Sequence, residues 1–259
     1  KNDISFFNLF EYLTFKSAIS AITALIMSFI IGPLTIKKLQ QYQIGEEIRS
    51  NGPESHLAKR GTPTMGGVII ILSTLLPTLL FSDLSNIMVL IIALSTLWMG
   101  VIGFIDDYLK IIIKAKDGMI ARYKMVGQIL LGVIISYAII NSNDFNGFNT
   151  KTTIPFFKNF EFDFGIFYPL LVILVITATS NAVNLTDGLD GLAIGLLAIC
   201  FTVFTAISYI SGRVDFSDYL NILYLPKASE LSIFASAAVG ACLGFLWFNS
   251  SPAEIFMGD

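Results

Sequence analysis

The 259-residue chain is 54% hydrophobic and only 14% charged, with a mean hydropathy of +0.74, whereas a soluble domain carries about 25% charged residues. Its apolar residues arrive in blocks too long for buried strands and matched to a hydrocarbon core about 30 Å thick, which excludes an ordinary soluble enzyme. The net charge of −3 decides nothing because the charges are segregated along the chain, and the single histidine, His56, excludes a histidine-rich zinc site within it.

In chain order the predicted spans are roughly Ser17–Ile36, Met65–Phe81, Ile87–Ile105, Met125–Ile140, Phe167–Ala182, Leu192–Ile210 and Leu231–Phe248. Backbone groups in lipid must be satisfied internally, so each is predicted to be a helix, and the shorter ones to tilt or thin the bilayer. The fold class is therefore an all-α polytopic membrane protein of about seven transmembrane helices, in a single domain spanning 1–259. The first block is too long for a signal peptide and ends in Lys37-Lys38, not in a small-residue cleavage site. Between the fourth and fifth spans, Thr152–Phe157 and Phe160–Phe164 alternate aromatic and polar residues about Lys158-Asn159. Period-two alternation around a polar turn predicts a small β-hairpin at the outer interface. Cys200 and Cys242 fall inside apolar blocks and read as small core residues. No methionine precedes Met27 and the chain stops at Asp259, so missing sequence at both ends is expected.

Lysine and arginine set the expected orientation. Lys37, Lys38, Arg49, Lys59 and Arg60 lie between the first two spans, and Lys110, Lys114, Lys116, Arg122 and Lys124 between the third and fourth, 10 of 16 basic residues in all. The positive-inside rule makes that face cytoplasmic and puts the N-terminus and the hairpin outside.

Four polar clusters, far apart in sequence, reach this same face. Gly61–Gly67 (GTPTMGG) opens the second span, Asp106-Asp107-Tyr108 closes the third, Asn184–Gly191 (NLTDGLDG) joins the fifth and sixth, and Met257-Gly258-Asp259 follows the seventh. An aspartate at mid-bilayer costs about 2.5–3.5 kcal/mol, so the Asp106-Asp107 pair is either a solvated helix end or a site. Neighbouring carboxylates raise one another's pKa or recruit a cation, and hard oxygen donors favour magnesium, with substrate phosphates completing its shell. Asn184, Asp187 and Asp190 recur every three residues, which stacks them on one side and turns Leu185, Leu189 and Leu192 into the bundle. Lys59, Arg60, Lys110, Lys114 and Lys124 flank the carboxylates. They are either ordinary topology determinants or phosphate-capturing cations, and Gly61–Gly67 offers backbone N–H groups at a helix start for an anion.

At these residues the sequence resembles the phospho-N-acetylmuramoyl-pentapeptide transferase family, within the polyprenyl-phosphate N-acetylhexosamine-1-phosphate transferases. KRGTPTMGG (Lys59–Gly67), FIDDYLK (Phe104–Lys110), NAVNLTDGLDGLA (Asn181–Ala193) and GFLWFNSSPAEIFMGD (Gly244–Asp259) follow its pattern, collinearly from about Ser17 to Asp259. The resemblance implies a ten-helix enzyme of the bacterial inner membrane with a periplasmic N-terminus and a cytoplasmic active site. The implied reaction moves phospho-MurNAc-pentapeptide from UDP-MurNAc-pentapeptide to undecaprenyl phosphate, giving lipid I and UMP, with magnesium as cofactor. It implies that Asp259 binds the metal, and that Asp106 and Asp107 deprotonate or position the lipid phosphate. Lys59, Thr64, Asn184, Asp187 and Asp190 would line the nucleotide-sugar site, with Lys124 as a further phosphate-facing lysine. Direct attack with Asp106 as base is favoured over an acyl-phosphate route. Membrane lipid is the surrounding partner, no nucleic acid is expected, and a homodimer is compatible with the family. The family pattern runs on past MGD with three further helices and a histidine-rich loop, so this truncated chain is expected to be inactive by itself.

Three competing readings stand beside this one. A secondary transporter would place its carboxylates near the midplane, often in repeated halves; here they lie at span ends and no repeat is visible. A GlcNAc-1-phosphate polyprenyl transferase keeps the chemistry and changes the sugar. A non-catalytic remnant follows from the expected truncation.

Overall fold

The computed structural model describes residues 7–42, 61–111, 113, 118–145, 147–153 and 161–259. Its helices are α1 (Leu13–Gln41), α2 (Gly67–Phe81), α3 (Ile87–Ile111), α4 (Ala121–Asn141), α5 (Tyr168–Thr186), α6 (Leu192–Ser211), α7 (Val214–Leu220) and α8 (Leu231–Asn249). Six helical stretches are long and apolar enough to cross a membrane, and α2, with 15 residues, is a shorter apolar helix. The all-α polytopic plan expected from the apolar blocks is therefore what forms.

Strands β1 (Lys151–Thr153) and β2 (Glu161–Asp163) pair antiparallel, with Lys151 opposite Asp163 and Thr153 opposite Glu161. The register is held by Thr150 Oγ1 donating to Asp163 Oδ1 at 2.6 Å and by Lys151–Glu161 at 3.0 Å. The hairpin expected from alternation is present, while its turn at Lys158-Asn159 lies outside the described residues. Helix α7 was not anticipated: seven residues are too few for a helical period to stand out between Ser211 and Glu230.

Helix α8 is the hub, with 72% of its apolar stretch buried among α1, α2 and α6. Small residues make this possible. On α1, Ser20, Ala24, Ser28, Gly32 and Ile36 recur at every fourth position and all but Gly32 are among the most buried side chains. This stripe lies against α8, where Gly240 meets the Ala21 carbonyl and Gly244 would place a Cβ 2.6 Å from Ser28 Cβ. Gly32 in turn accommodates the Phe248 ring. Without a hydrophobic drive between helices in lipid, such close backbone approach and its dispersion contacts are what hold them together. Cys242 is buried in this core, as expected, but Cys200 is exposed on α6; α6 turns only one face to α8, and position 200 falls on the other.

Helices α4 and α5 form a second, thinner layer, joined to the hub through α3. Among the described residues none on α5 is buried. The two layers open between them a cleft of about 840 Å³, apolar along most of its length, running from Thr152 and Tyr168 at the hairpin end to Asp107, Lys124, Asn184 and Asp259 at the other.

Candidate active site

The acidic end of the cleft is assembled from four chain segments. The peptide after α8 folds back and lies along the segment before α2: Phe256 N–H donates to the Pro63 carbonyl at 2.8 Å, and Gly66 and Gly67 N–H groups donate to Phe256 and Met257 carbonyls at 2.9 and 2.8 Å. These bonds hold Met65 in the left-handed region at φ 76°, a conformation that costs a side-chain-bearing residue about 1–2 kcal/mol. They bury Thr64 beside it. The glycine-rich segment was expected to offer N–H groups to an anion. That expectation is corrected: the Gly66 and Gly67 donors are taken by carbonyls of the chain itself.

This fold-back delivers Asp259 to the end of α3. Gly258 adopts φ +79°, and any Cβ there would run into the Asp107 carboxylate. Glycine is therefore required for Asp259 N–H to reach Asp107 Oδ2 at 3.1 Å. The Asp259 carboxylate accepts hydrogen bonds from Lys110 on α3 and Asn184 on α5, and Lys124 on α4 lies 3.4 Å away. Lys124 also stands 3.3 Å and Lys110 3.5 Å from Asp106 Oδ2, while Asp106 Oδ1 takes the Met119 N–H at 2.7 Å. Asp106 and Asp107 are both buried.

Two lysines thus sit between three carboxylates, which is how buried charge remains tolerable. Burial alone would push the Asp259 carboxyl up. Hydrogen bonds from Lys110 and Asn184, together with the Lys110 charge, outweigh burial and hold it below the usual carboxylate range. Among the described residues no three His, Cys, Asp or Glu side chains close on one point as a ready metal cage.

Of the residues singled out from sequence, Asp106, Asp107, Lys124, Asn184 and Asp259 come together in one cluster. Asp187 caps α5, its N–H on the Asn184 carbonyl at 3.3 Å. Asp190 lies further along the turn and accepts the Ala253 N–H at 3.4 Å, tying that turn to the peptide after α8. Lys59 lies outside the described residues. The inward orientation expected of Leu185, Leu189 and Leu192 is not found: they are 84%, 62% and 41% exposed. The turn at 187–191 hangs at the rim of the bundle, so Leu189 within it and Leu185 and Leu192 at the helix ends beside it have no helix to pack against on their outer side.

Two polar supports escaped the sequence reading. Asn249, buried at the end of α8, accepts the Gly191 N–H at 3.0 Å and donates to the Ile255 carbonyl at 2.9 Å, joining the 184–191 turn to the Asp259 peptide. Gln128 on α4 is fully buried between α4 and α5. A polar side chain inside an apolar run is costly in lipid, and that cost is the signal that marks both.

Comparison with known proteins agrees with this geometry. Residues 89–259 match the model of glycosyl transferase family 4, and residues 59–71 match phospho-N-acetylmuramoyl-pentapeptide-transferase signature 1. The chain is 48% identical over 262 aligned positions to the phospho-N-acetylmuramoyl-pentapeptide-transferase of Citrifermentans bemidjiense, covering 100% of this chain and 71% of the relative. It is 46% identical to that of Koribacter versatilis and 47% to that of Desulforapulum autotrophicum, covering 98% and 99% of this chain and 71% of each relative. The matches span every segment of the acidic cluster, and the chain belongs to the phospho-N-acetylmuramoyl-pentapeptide-transferase family.

Proposed function

We propose that, against the inactivity expected of the chain by itself, this polypeptide performs the transfer for which its relatives are named: phospho-MurNAc-pentapeptide passes from UDP-MurNAc-pentapeptide to undecaprenyl phosphate, releasing UMP. The observation that carries this reading is the convergence of Asp106, Asp107 and Asp259 with Lys110 and Lys124 at the end of a membrane-embedded cleft. An oxygen of the lipid phosphate attacks the sugar-bearing phosphorus; the new P–O bond forms as the bond to the bridging oxygen of UMP breaks. Bringing a diphosphate to a lipid phosphate gathers about four negative charges, and catalysis of phosphoryl transfer is chiefly positioning and neutralising them.

Lys110 and Lys124 supply positive charge at this point, and Asn184 and Asp259 frame it. Asp107 lines the cleft, whereas Asp106 is occupied by two lysines and the Met119 N–H. This favours Asp107 as the group that takes a proton from the lipid phosphate, in place of the Asp106 expected from sequence. Asp106 then holds Lys110 and Lys124 in place.

The hard oxygens of Asp259 suit magnesium in its usual enzymatic form, bound by one or two carboxylates and keeping waters and substrate phosphates as its other ligands. Bound there, the ion would neutralise the diphosphate and the leaving UMP. The acidic end faces the cytoplasm of a bacterial inner membrane in this reading, supported by the excess of lysine and arginine at that end.

The test is UMP release in detergent with undecaprenyl phosphate, UDP-MurNAc-pentapeptide and magnesium, against UDP-GlcNAc as the alternative donor. Magnesium-dependent release with the muramoyl donor supports the assignment. Release with UDP-GlcNAc alone reassigns the sugar, and release with neither donor from folded protein removes the transferase reading.

A further inference from the structure

Helix α5 carries Asn184 into the acidic cluster, yet it is the least embedded span: none of its 19 residues is buried among the described residues. Its partner α4 carries Lys124. The two helices run antiparallel, so the relative height of Lys124 and Asn184 depends on how α4 and α5 are set lengthwise against each other. Part of that setting comes from small-residue contact, where Gly132 on α4 lies against the Ile173 backbone on α5.

Gln128 adds a polar constraint one turn nearer the site. Its side chain is fully buried. Nε2 donates to Ser180 Oγ at 3.0 Å, and Oε1 accepts from Asn181 Nδ2 at 3.2 Å. Asn181 is itself anchored, its Nδ2 also donating to the Thr177 carbonyl at 2.7 Å. The spacing is symmetrical about the site: Gln128 lies four residues beyond Lys124 on α4, and Ser180 four before Asn184 on α5. Four residues of α-helix rise about 6 Å. The amide rung therefore spans both helices at one level, one turn below the lysine and the asparagine that meet Asp259. On the opposite side of α4, Trp98 of α3 donates to the Gly127 carbonyl at 3.1 Å, beside the same level. Sliding α5 by a fraction of a turn breaks both hydrogen bonds of a fully buried amide at once.

We propose that Gln128 is a positioning residue for phosphoryl transfer, its amide rung to Ser180 and Asn181 setting the register that places Lys124 and Asn184 together on Asp259. The proposal rests on the transferase reading for its catalytic consequence and on geometry alone for its structural one. Gln128→Leu keeps the bulk and deletes the rung.

The experiment pairs two measurements on the same protein. Spin labels at Tyr137→Cys and Leu170→Cys, both exposed positions near the other ends of α4 and α5, are placed in a Cys200→Ser, Cys242→Ala background. Their distance distribution is recorded alongside transferase kinetics. Gln128→Leu is expected to broaden or shift the distribution and to lower kcat by about 10-fold to 100-fold, the effect of a misplacement near 1 Å. The KM for the nucleotide sugar should stay close to wild type, while the thermal midpoint falls with the two lost hydrogen bonds. Ser180→Ala, which removes one arm of the rung and leaves the Asn181 arm, should fall between wild type and Gln128→Leu. A Gln128→Leu protein with the wild-type distance distribution overturns the inference whatever its activity. A shifted distribution with unchanged kcat overturns the catalytic role. If no variant and no wild-type protein releases UMP while the distances shift, the rung stands and it is the transferase reading that fails.

Discussion

The two layers of this bundle differ in how deeply they are embedded and in what is added to close helix contact. In the hub, α8 sinks 72% of its apolar stretch among its neighbours, while the corresponding stretch of α5 buries none. The hub is locked by backbone contact, with Gly240 against the Ala21 carbonyl and Gly244 against Ser28. The outer layer has one such contact, Gly132 against Ile173, and adds polar side chains, Gln128 to Ser180 and Asn181 and Trp98 to Gly127. Both layers nonetheless deliver side chains to a single carboxylate, Asp259. The hub supplies the peptide that carries it, and α3, α4 and α5 supply Lys110, Lys124 and Asn184. A rigid half thus presents the acid, and a more loosely embedded half presents the groups that neutralise it.

The largest expected effect breaks the junction itself. Asp259→Asn leaves Lys110 and Lys124 without their shared carboxylate. It should reduce UMP release by about 10³-fold, the upper range for losing one preorganised electrostatic group, with the protein still folded by thermal unfolding in detergent. Chelation should abolish release as fully, and magnesium should restore it. An Asp259→Asn protein with near-normal turnover would detach the junction from the chemistry.

Next comes the hub. Gly240→Leu forces a side chain onto the Ala21 carbonyl, and overpacking against backbone should cost about 3 kcal/mol or more. A lower thermal midpoint or aggregation on size-exclusion chromatography would register it. If the variant is as stable as wild type, close helix contact is not what holds the hub.

A smaller loss is expected where the hub meets the site turn. Asn249→Ala strands the Gly191 N–H and the Ile255 carbonyl, at about 1–3 kcal/mol for each group left unsatisfied. Amide exchange at residues 187–191 and 255–259 should speed up together, whereas exchange confined to one segment would show that Asn249 does not couple them. The smallest effect marks the periphery: nothing lies within 4 Å of a Cβ added at Gly195 on α6. Gly195→Ala should raise stability by about 0.5–1 kcal/mol through helix propensity alone, and a fall in the midpoint would place an unseen neighbour there.

Much of this architecture was legible before any coordinates. Long apolar blocks and the price of charge in lipid act on each segment separately, so the spans, the hairpin and the four polar clusters could be read one at a time. The cluster members Asp106, Asp107, Lys124, Asn184 and Asp259 were named on that basis. Errors arose where an outcome depended on a second segment. The Gly66 and Gly67 N–H groups looked free for an anion until the peptide after α8 was seen to take them. The 185, 189 and 192 leucines looked inward until the rim of the bundle was seen to offer them nothing.

What the sequence determined by itself is which stretches enter lipid and which residues are too polar to be there without a reason. The tertiary structure alone decided the pairings: two lysines shared between Asp106 and Asp259, a glycine that lets Asp259 N–H reach Asp107, an asparagine and a glutamine that lock segments in register. The physical reason is that insertion into lipid depends on one segment and its solvent. A hydrogen bond or an ion pair depends on the distance between two segments, and only packing sets that.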